Sequence, residues 1–400
     1  FKKGVHIRPA WTKGVVMNHR ERYLAVMRFD EVDRVPFDPG WGRQSTQRRW
    51  RSEGLAEQVS DIPRYAAEQV GIELDPPPAN VAHPGVDFRM IPQFEEKIIE
   101  HRPAPPGATE PGVLVVQDWK GNVCEISDEF NVEYLRNAID FVTRSWLKCP
   151  VESPAAWEDM ARRYDIDAPG RWPDDWDERC RKLRDRTYVS GLTLSGPFWQ
   201  LREWCGFEGL CMLMVDQPEF VDQMSRFWND FVAGMFERMF ASYVPDFIMI
   251  NEDMAYKEKP MIGPEMTRRY CSPCWRTWAA LAKQAGVPVF AVDSDGYIES
   301  LMPIWIEDGF GMTSPIEVAA GNDIARMRAN AGRSMAFHGG VDKRKMAAGG
   351  AALREEMQRI APIVADGGYI PSCDHGIPHD VSWQNYLDYC RQLGEITGWL

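Results

Sequence analysis

The sequence predicts an α/β fold of the (β/α)8 TIM-barrel type, with an N-terminal extension and insertions. From about residue 187 onward, short apolar runs alternate with longer amphipathic ones, which is typical of βα units around a parallel sheet. Residues 35–38 and one further strand of the first half would raise the strand count to eight, which favours a closed barrel. No strand is followed by a GxGxxG or Walker-type loop, which argues against an open nucleotide-binding sheet. The strand candidates of the second half are 188–194, 246–251, 288–292, 310–314, 334–339 and 368–372.

The first half is less regular and is predicted to hold the extension and the insertions. Asn18 is the expected N-cap of a first helix, because Glu21 follows three residues later and completes a capping box. Residues 1–33 form the expected N-terminal extension and helix, and residues 34–400 a single barrel domain. An inserted hairpin and a helical region are expected near 113–186, because two β-rich runs flank a turn and polar segments follow.

The cysteines are predicted to be free thiols. Nine cysteines at irregular spacings do not form a disulfide framework. Cys271 and Cys274 make one CxxC inside a helical pattern that ends at Gly286. Without a second pair this is a weak zinc signal, so we expect both thiols to pack as small apolar groups.

The negative net charge of the chain argues against binding to nucleic acid and to membrane surfaces. Among 400 residues, 46 Lys and Arg stand against 59 Asp and Glu, a formal net charge of −13. A nucleic-acid binder needs a basic surface for phosphates, and a polybasic membrane-surface protein is equally disfavoured. No apolar run approaches the roughly 20 residues that span a bilayer, and the sequence starts without an apolar secretion core. We therefore expect a cytoplasmic protein that binds neither nucleic acid nor membrane.

Polar side chains follow the last five strand candidates, where a barrel carries its active site. Because the carboxyl ends of parallel strands meet at one rim, these groups are expected to converge. Several carboxylates in one cavity repel each other and need a cation, a shared proton or a basic partner. Either a divalent metal or a set of carboxylic acids with raised pKa values would satisfy them. The residues are Glu252 and Asp253, Asp293 and Asp295, Glu317, His338, and Cys373 with Asp374 and His375.

Individual members of this rim carry different alternatives. Asp293 and Asp295 lie on one face if the strand pleat continues, which suits a metal or a substrate clamp. His375 is the foremost imidazole candidate, although it could also be a loop or cap histidine. His338 could equally be a packed residue at a strand end. Trp41, Trp199 and Trp204 follow presumed strand ends and are expected either to line an apolar cavity or to pack in the core.

Several segments, in order, resemble the uroporphyrinogen decarboxylase superfamily. They are HRERYLAVMRFDEVDRVPF, SGPFWQLREW, PVFAVDSDGYIESLMPIWIEDGFGMTSPIE, FHGGVDKRKM and GYIPSCDHGIPHDVSWQNY, covering roughly 18–40 and 187–395. The family fold is a (β/α)8 barrel. One branch comprises decarboxylases, whose Arg-rich N-terminal motif is here replaced by VPFDPGWGRQST with Arg43 nearby. The other comprises corrinoid-dependent methyltransferases, whose zinc-binding His-x-Cys positions fall on Asp293 and Asp295 and whose later Cys falls on His375.

This resemblance implies an enzyme similar to the first methyltransferase of O-demethylase systems. Such an enzyme moves a methyl group from a methoxylated, often aromatic, compound to the Co(I) of a separate corrinoid protein. It implies zinc on Asp293, Asp295 and His375, because carboxylates and imidazole in place of thiolates suit a harder, oxygen-containing substrate. Glu252 would be a fourth ligand or an acid. The other expected roles are catalytic for Asp253, Cys373 and His338, and substrate-binding for Trp41, Trp199, Trp204 and Glu317.

Three alternatives remain open at the level of sequence. A metal-free enzyme similar to the decarboxylases would use carboxylates and His as acid catalysts. A methyltransferase could take its methyl group from an amine or a halide instead of an ether. A non-catalytic barrel could bind only a ligand or a corrinoid protein. Homodimer formation is also open.

Overall fold

The computed structural model describes residues 16–76, 83–137 and 142–400. Its helices alternate with strands through the second half of the chain, as the sequence predicts.

The first helix begins after Asn18, and the predicted capping box with Glu21 is confirmed. Glu21 N donates to the Asn18 side chain at 3.0 Å, and Asn18 N donates to the Glu21 side chain at 2.8 Å. The α-helices are α1 His19–Met27, α2 Gln44–Ser52, α3 Ile62–Gln69, α4 Val132–Asn137, α5 Pro154–Ala161, α6 Trp176–Arg184, α7 Pro197–Cys205, α8 Phe207–Asp216, α9 Pro218–Phe240, α10 Pro264–Tyr270, α11 Ser272–Ala285, α12 Met302–Glu307, α13 Ile324–Ala331, α14 Lys343–Ala348, α15 Gly350–Asp366 and α16 Trp383–Thr397.

The inserted region is a four-stranded antiparallel sheet. Its strands are β1 Lys97–Arg102, β2 Val113–Gln117, β3 Val123–Ser127 and β4 Ser145–Lys148, in that spatial order. The predicted hairpin is β2–β3 and is confirmed. This sheet has a small core of its own, in which Leu114 and Val116 pack against Cys124 and Ile126. The edge strands β1 and β4 are exposed along their whole length, so they lack the apolar alternation that made the hairpin recognisable.

The second half forms a six-stranded parallel sheet. Its strands are β5 Gly191–Ser195, β6 Phe247–Asn251, β7 Val289–Asp293, β8 Met312–Ser314, β9 Ala336–Val341 and β10 Tyr369–Cys373. They pair in chain order from β5 to β10. All six predicted strands are present, shifted by a few residues at most. The α/β class and the parallel sheet are thus confirmed.

The strand predicted at 35–38 is wrong for the described structure. Pro36 and Pro39 have no backbone N–H to donate to a ladder, and the neighbouring groups bond elsewhere. Val35 N donates to Thr397 O at 2.9 Å, and Trp399 Nε1 donates to Val35 O at 2.7 Å. Beyond it, Gly42 makes one parallel bridge to Ile377. The hydrogen bonds of the described residues therefore define a six-stranded parallel sheet, and a closed eight-stranded barrel stays a prediction.

One hydrophobic core extends from the first helix to the last. Tyr23 and Val26 of α1 belong to the same buried cluster as Ile248 of β6 and Leu393 of α16. Helix α1 is therefore packed into the body that carries the parallel sheet. Within the described ranges, no helix combines the length and the apolar character that crossing a membrane requires.

The helix predicted across the CxxC motif divides into α10 and α11. The break falls at Cys271, and Pro273 lies in the first turn of α11, where a missing N–H is tolerated. Gly286 ends α11 in a left-handed conformation, as predicted. Cys271 and Cys274 are buried, and all nine cysteines are free thiols, which confirms the packing interpretation.

A buried carboxylate joins α1 to the amino ends of two strands. Asp246, directly before β6, has no exposed surface. It accepts hydrogen bonds from Arg20 and Arg186, both at 2.7 Å, and from Ser190 N at 2.9 Å. Although burial opposes the effect, the hydrogen bonds from Arg186 lower the pKa of Asp246. The ion cluster therefore keeps the carboxylate charged in the folded protein.

Replacing Asp246 by Asn is expected to lower the free energy of unfolding by about 3–5 kcal/mol, because it leaves the Arg186 charge buried without its partner. Asp167→Asn is the matched control. Asp167 pairs with Arg238 at the surface at 2.7 Å, so the loss of this ion pair should cost about 0–1 kcal/mol.

Because the folded pKa of Asp246 is lowered, the contribution of Asp246 to the free energy of unfolding is present above the unfolded pKa of about 3.9. That contribution is lost as the pH falls through the folded value. Urea unfolding at pH 7 measures both variants, and equal losses would contradict this role.

Candidate active site

The candidate site lies at the carboxyl ends of the parallel strands. Strand register brings Ser195, Asn251, Asp293 and Ser314 into one row, since each is paired with the next across β5, β6, β7 and β8. A cavity of about 350 Å³ opens beside this row. Of the predicted residues, it is lined by Trp41, Trp199, Asp253, Asp293, Asp295, His338, Cys373 and His375. The polar residues predicted at the strand ends therefore do meet at this edge of the sheet, and most of them line its cavity.

Three carboxyl groups share the cavity. Burial, together with the charges of Asp295 and Asp253, raises the pKa of Asp293 to about 7. Burial also raises the pKa of Asp253, and Asp295 adds to that effect while Arg202 opposes it. Among the described residues, none donates a hydrogen bond to the Asp293 side chain. Asp293 is thus an acid that can carry a proton near neutral pH.

Asp253 is held by an arginine and by an unusual backbone conformation. Its φ of 40° lies in the left-handed region, which turns the chain sharply after β6. Arg202 of α7 donates to the Asp253 carbonyl at 2.9 Å and to its Oδ2 at 3.1 Å. This guanidinium therefore supports the strained turn and neutralises the carboxylate that the turn presents.

Asp295 is held by His375. His375 Nε2 lies 3.3 Å from Asp295 Oδ2, and Nδ1 lies 3.0 Å from an Nη2 atom of Arg43. The hydrogen bond with Asp295 raises the pKa of His375, while the charge of Arg43 lowers it. A guanidinium can only donate, so Nδ1 accepts and the ring proton lies on Nε2, facing Asp295. Gly296 is required after Asp295, because its φ is 81° and a Cβ there would lie 2.3 Å from Ala255 O.

A second His–Asp pair lines the cavity. His338 Nε2 lies 2.7 Å from Asp38 Oδ2. Asp38 is in the segment before α2 and was not a predicted site residue. Cys373 is also at the wall, and burial raises the pKa of its thiol well above the ordinary range. This cysteine is therefore a neutral packing group at neutral pH.

Glu252 lies behind the cavity and does not line it. It has no exposed surface, and burial raises its pKa to about 8. Its Oε2 accepts from Trp199 N at 3.1 Å, and its Oε1 accepts from Trp275 Nε1 at 2.6 Å. A Cβ on Gly196 would lie 2.1 Å from this carboxyl group. Glu252 therefore caps the start of α7 and positions Trp199.

The remaining predicted residues lie at different depths. Trp41 is at the mouth and is 54% exposed. Trp204 is wholly buried and packs on Trp157, so it is a core residue and not part of the cavity wall. Glu317 accepts from Lys343 Nζ and from Gly296 N, both at 3.0 Å. It therefore supports the loop that carries Asp295 and is set back from the cavity.

The predicted zinc ligands do not fit a metal ion in this arrangement. Across the described ranges, no group of three or more His, Cys, Asp or Glu residues is placed to hold one. Both ring nitrogens of His375 are engaged, one of them with the Arg43 guanidinium, and both oxygens of Glu252 accept from N–H donors. A cationic donor on a ligand imidazole opposes metal binding electrostatically.

Three further residues lie at the cavity or contact its histidines and were not predicted as site residues. Asp38 and Arg43 lie in the irregular first half, 300 and 332 positions from the histidines they contact. Asn251 is the last residue of β6, one position before the acidic pair that drew attention instead. The strand-end rule could have found Asn251, whereas no local pattern indicates Asp38. Arg43 was noted only for its place near the replaced Arg-rich motif, with no site role.

The fold and site together define an α/β protein with a parallel sheet and an acidic cavity at its carboxyl edge. No family model matches the chain, and a search of curated proteins finds no match. Among solved structures, the fold is similar to that of a methyltransferase from Methanosarcina mazei, with a TM-score of 0.54 and 12% identity. The similarity covers 95% of this chain and 99% of that one. At this identity the likeness concerns the fold alone.

The Asp293 carboxyl is expected to titrate near pH 7, measured by 13C NMR of aspartate carboxyl groups and assigned with Asp293→Asn. Asp295→Asn should lower that pKa, because it removes a neighbouring negative charge. Since the folded pKa is raised, the stability of the wild type relative to Asp293→Asn should fall as the pH rises from about 4, the unfolded value, through 7. A carboxyl titrating near pH 4 would contradict the assignment.

Proposed function

We propose that this protein is a methyltransferase that removes the methyl group of a methoxylated aromatic compound and transfers it to the Co(I) of a corrinoid protein. The observation that carries the proposal is Asp293, an acid with a pKa near 7 in a cavity at the carboxyl edge of the sheet. The fold similarity to a methyltransferase supports the reaction class. The corrinoid is a second substrate, brought by a partner protein in the same reducing cytoplasm.

An ether needs help to lose its methyl group, because the departing oxygen gains negative charge. A proton held by Asp293 at neutral pH can be donated to that oxygen as the O–CH3 bond breaks. The oxygen keeps the electron pair of the broken bond and leaves as a hydroxyl group. The methyl carbon receives both electrons of its new bond from Co(I). Asp293 is then a carboxylate and regains its proton from water.

The other residues of the site keep that proton on Asp293. Burial is the largest cause of the raised pKa of Asp293, and the charges of Asp295, which lies beside His375, and of Asp253, which is paired with Arg202, add to it. Their negative field disfavours ionisation of Asp293, which has no such partner among the described residues. Trp41 stands exposed at the mouth, where the bulky methyl acceptor must approach.

Asp293→Asn should reduce kcat/KM for demethylation of 2-methoxyphenol by about 10²–10⁴-fold, the usual contribution of a general acid. The wild-type rate should also fall as the pH rises above about 7, because the reaction needs the protonated acid, and the variant should lose that dependence. Formation of the alkylated cobalt product from Co(I) cobalamin measures the rate.

Asp167→Asn, at the surface, is the control and should retain the wild-type rate. Full activity in Asp293→Asn would remove the observation on which the proposal depends. Release of CO2 from a carboxylated substrate without methyl transfer would point instead to a decarboxylase that uses the same acid.

Elemental analysis separates proton assistance from metal assistance. The engaged state of His375 leads us to expect that purified protein binds zinc substoichiometrically, and that Asp293→Ala/Asp295→Ala holds the same amount. Dialysis against a chelator should leave the demethylation rate unchanged. About one zinc per chain, lost in the double variant together with activity, would restore the predicted zinc site.

A further inference from the structure

A second and larger cavity adjoins the acidic one. Its volume is about 580 Å³, and Trp199 lines both cavities. Its walls come from residues 86–90, the end of β5, α7 and the β2–β3 turn of the inserted sheet. The insert therefore forms part of the wall of this cavity.

Five aromatic side chains contribute to these walls. Trp119 of the β2–β3 turn and Trp199 of α7 are partly exposed to the space, with Phe88, Tyr164 and Trp228 more deeply buried around it. The backbone N–H of Trp199 donates to the buried Glu252 at 3.1 Å, which holds the start of α7 in the position from which this side chain extends. Aromatic faces and edges favour a flat ring, which they contact by stacking or edge-on packing. The wall composition thus fits an aromatic ligand.

The charged groups of this cavity are balanced. Asp87 is paired with Arg89, whose Nη2 donates to it at 2.7 Å. Lys120 of the β2–β3 turn is paired with Glu203 of α7. Each full charge on the described lining residues therefore has an opposite partner. An anionic or cationic ligand would have to break one of these pairs, so the cavity favours an uncharged ligand.

Tyr164 lines this cavity and has a hydroxyl group that can still donate a hydrogen bond. Its hydroxyl oxygen accepts from Gln200 Nε2 at 3.2 Å and from Trp204 Nε1 at 3.1 Å. Those two bonds use its acceptor positions, and none of the described residues accepts from its own O–H. A buried donor of this kind costs free energy unless a ligand oxygen or water accepts from it. The hydroxyl therefore favours a ring that carries an oxygen substituent.

We propose that this cavity binds the aromatic ring of the methyl donor, an uncharged single ring with an oxygen substituent, between Trp119 and Trp199. The orientation of the ligand in this assignment, with its methoxy group toward Asp293, rests on the proposed function. It makes the inserted sheet the element that selects the substrate.

Isothermal titration calorimetry with 2-methoxyphenol tests the assignment. Trp119→Ala should weaken binding about tenfold or more, because it removes the stacking partner. Trp119→Phe should stay within about threefold of the wild type, since an aromatic face remains, which also guards against a folding defect. Trp146→Ala, in β4 of the same sheet and outside this cavity, is the matched control and should bind normally. The anion 3-methoxybenzoate should bind the wild type at least about tenfold more weakly than 2-methoxyphenol.

The outcomes separate the two proposals. Wild-type binding that Trp119→Ala weakens, without methyl transfer, would keep this cavity assignment and overturn the proposed function. Methyl transfer from 2-methoxyphenol with unchanged binding in Trp119→Ala would keep the function and overturn the assignment. Equal weakening in Trp146→Ala, or tighter binding of the anion, would also overturn it.

Discussion

The parallel register of the sheet is the constraint on which the site depends. It places Asn251, Asp293 and Ser314 side by side at the ends of three neighbouring strands. The chain then adds Asp253 and Asp295 immediately after two of those strands. Three carboxyl groups are thereby brought to the wall of one cavity, where like charges disfavour ionisation of all three without compensation. The surrounding residues offset the repulsion between these carboxyl groups.

Part of the compensation comes from distant segments of the chain. Arg43 precedes α2 and reaches His375, which in turn faces Asp295. Asp38 of the same segment meets His338. This irregular segment lies over the carboxyl ends of β9 and β10, where Gly40 packs against Cys373. Its two prolines, which prevent strand pairing, leave it free to present side chains to the cavity.

The sequence was informative where a feature is local and periodic. The strands from β5 to β10 could be predicted because buried runs alternate with amphipathic helices, and the strand-end rule then indicated Asp293, Asp295 and His375. Features that depend on contacts between distant segments could not be predicted. Arg43 carries no local pattern, and Trp204 looks like a rim residue until the packing of α7 places it in the core. The edge strands β1 and β4 of the insert were not predicted. Neither strand has a buried face, so neither shows the alternation of apolar and polar residues that marks a strand.

The balance of charges favours a proton over a metal ion as the final compensation. Arg202 neutralises Asp253, and His375, held by Arg43, partners Asp295. One carboxyl group then remains, that of Asp293, and a single proton neutralises it. A divalent cation would bring two positive charges into a cavity that already has two guanidinium groups beside it, and it would have to displace Arg43 or Asp295 from the imidazole. Burial and the charges of Asp295 and Asp253 raise the pKa of Asp293, so a proton on this carboxyl group provides that compensation near neutral pH.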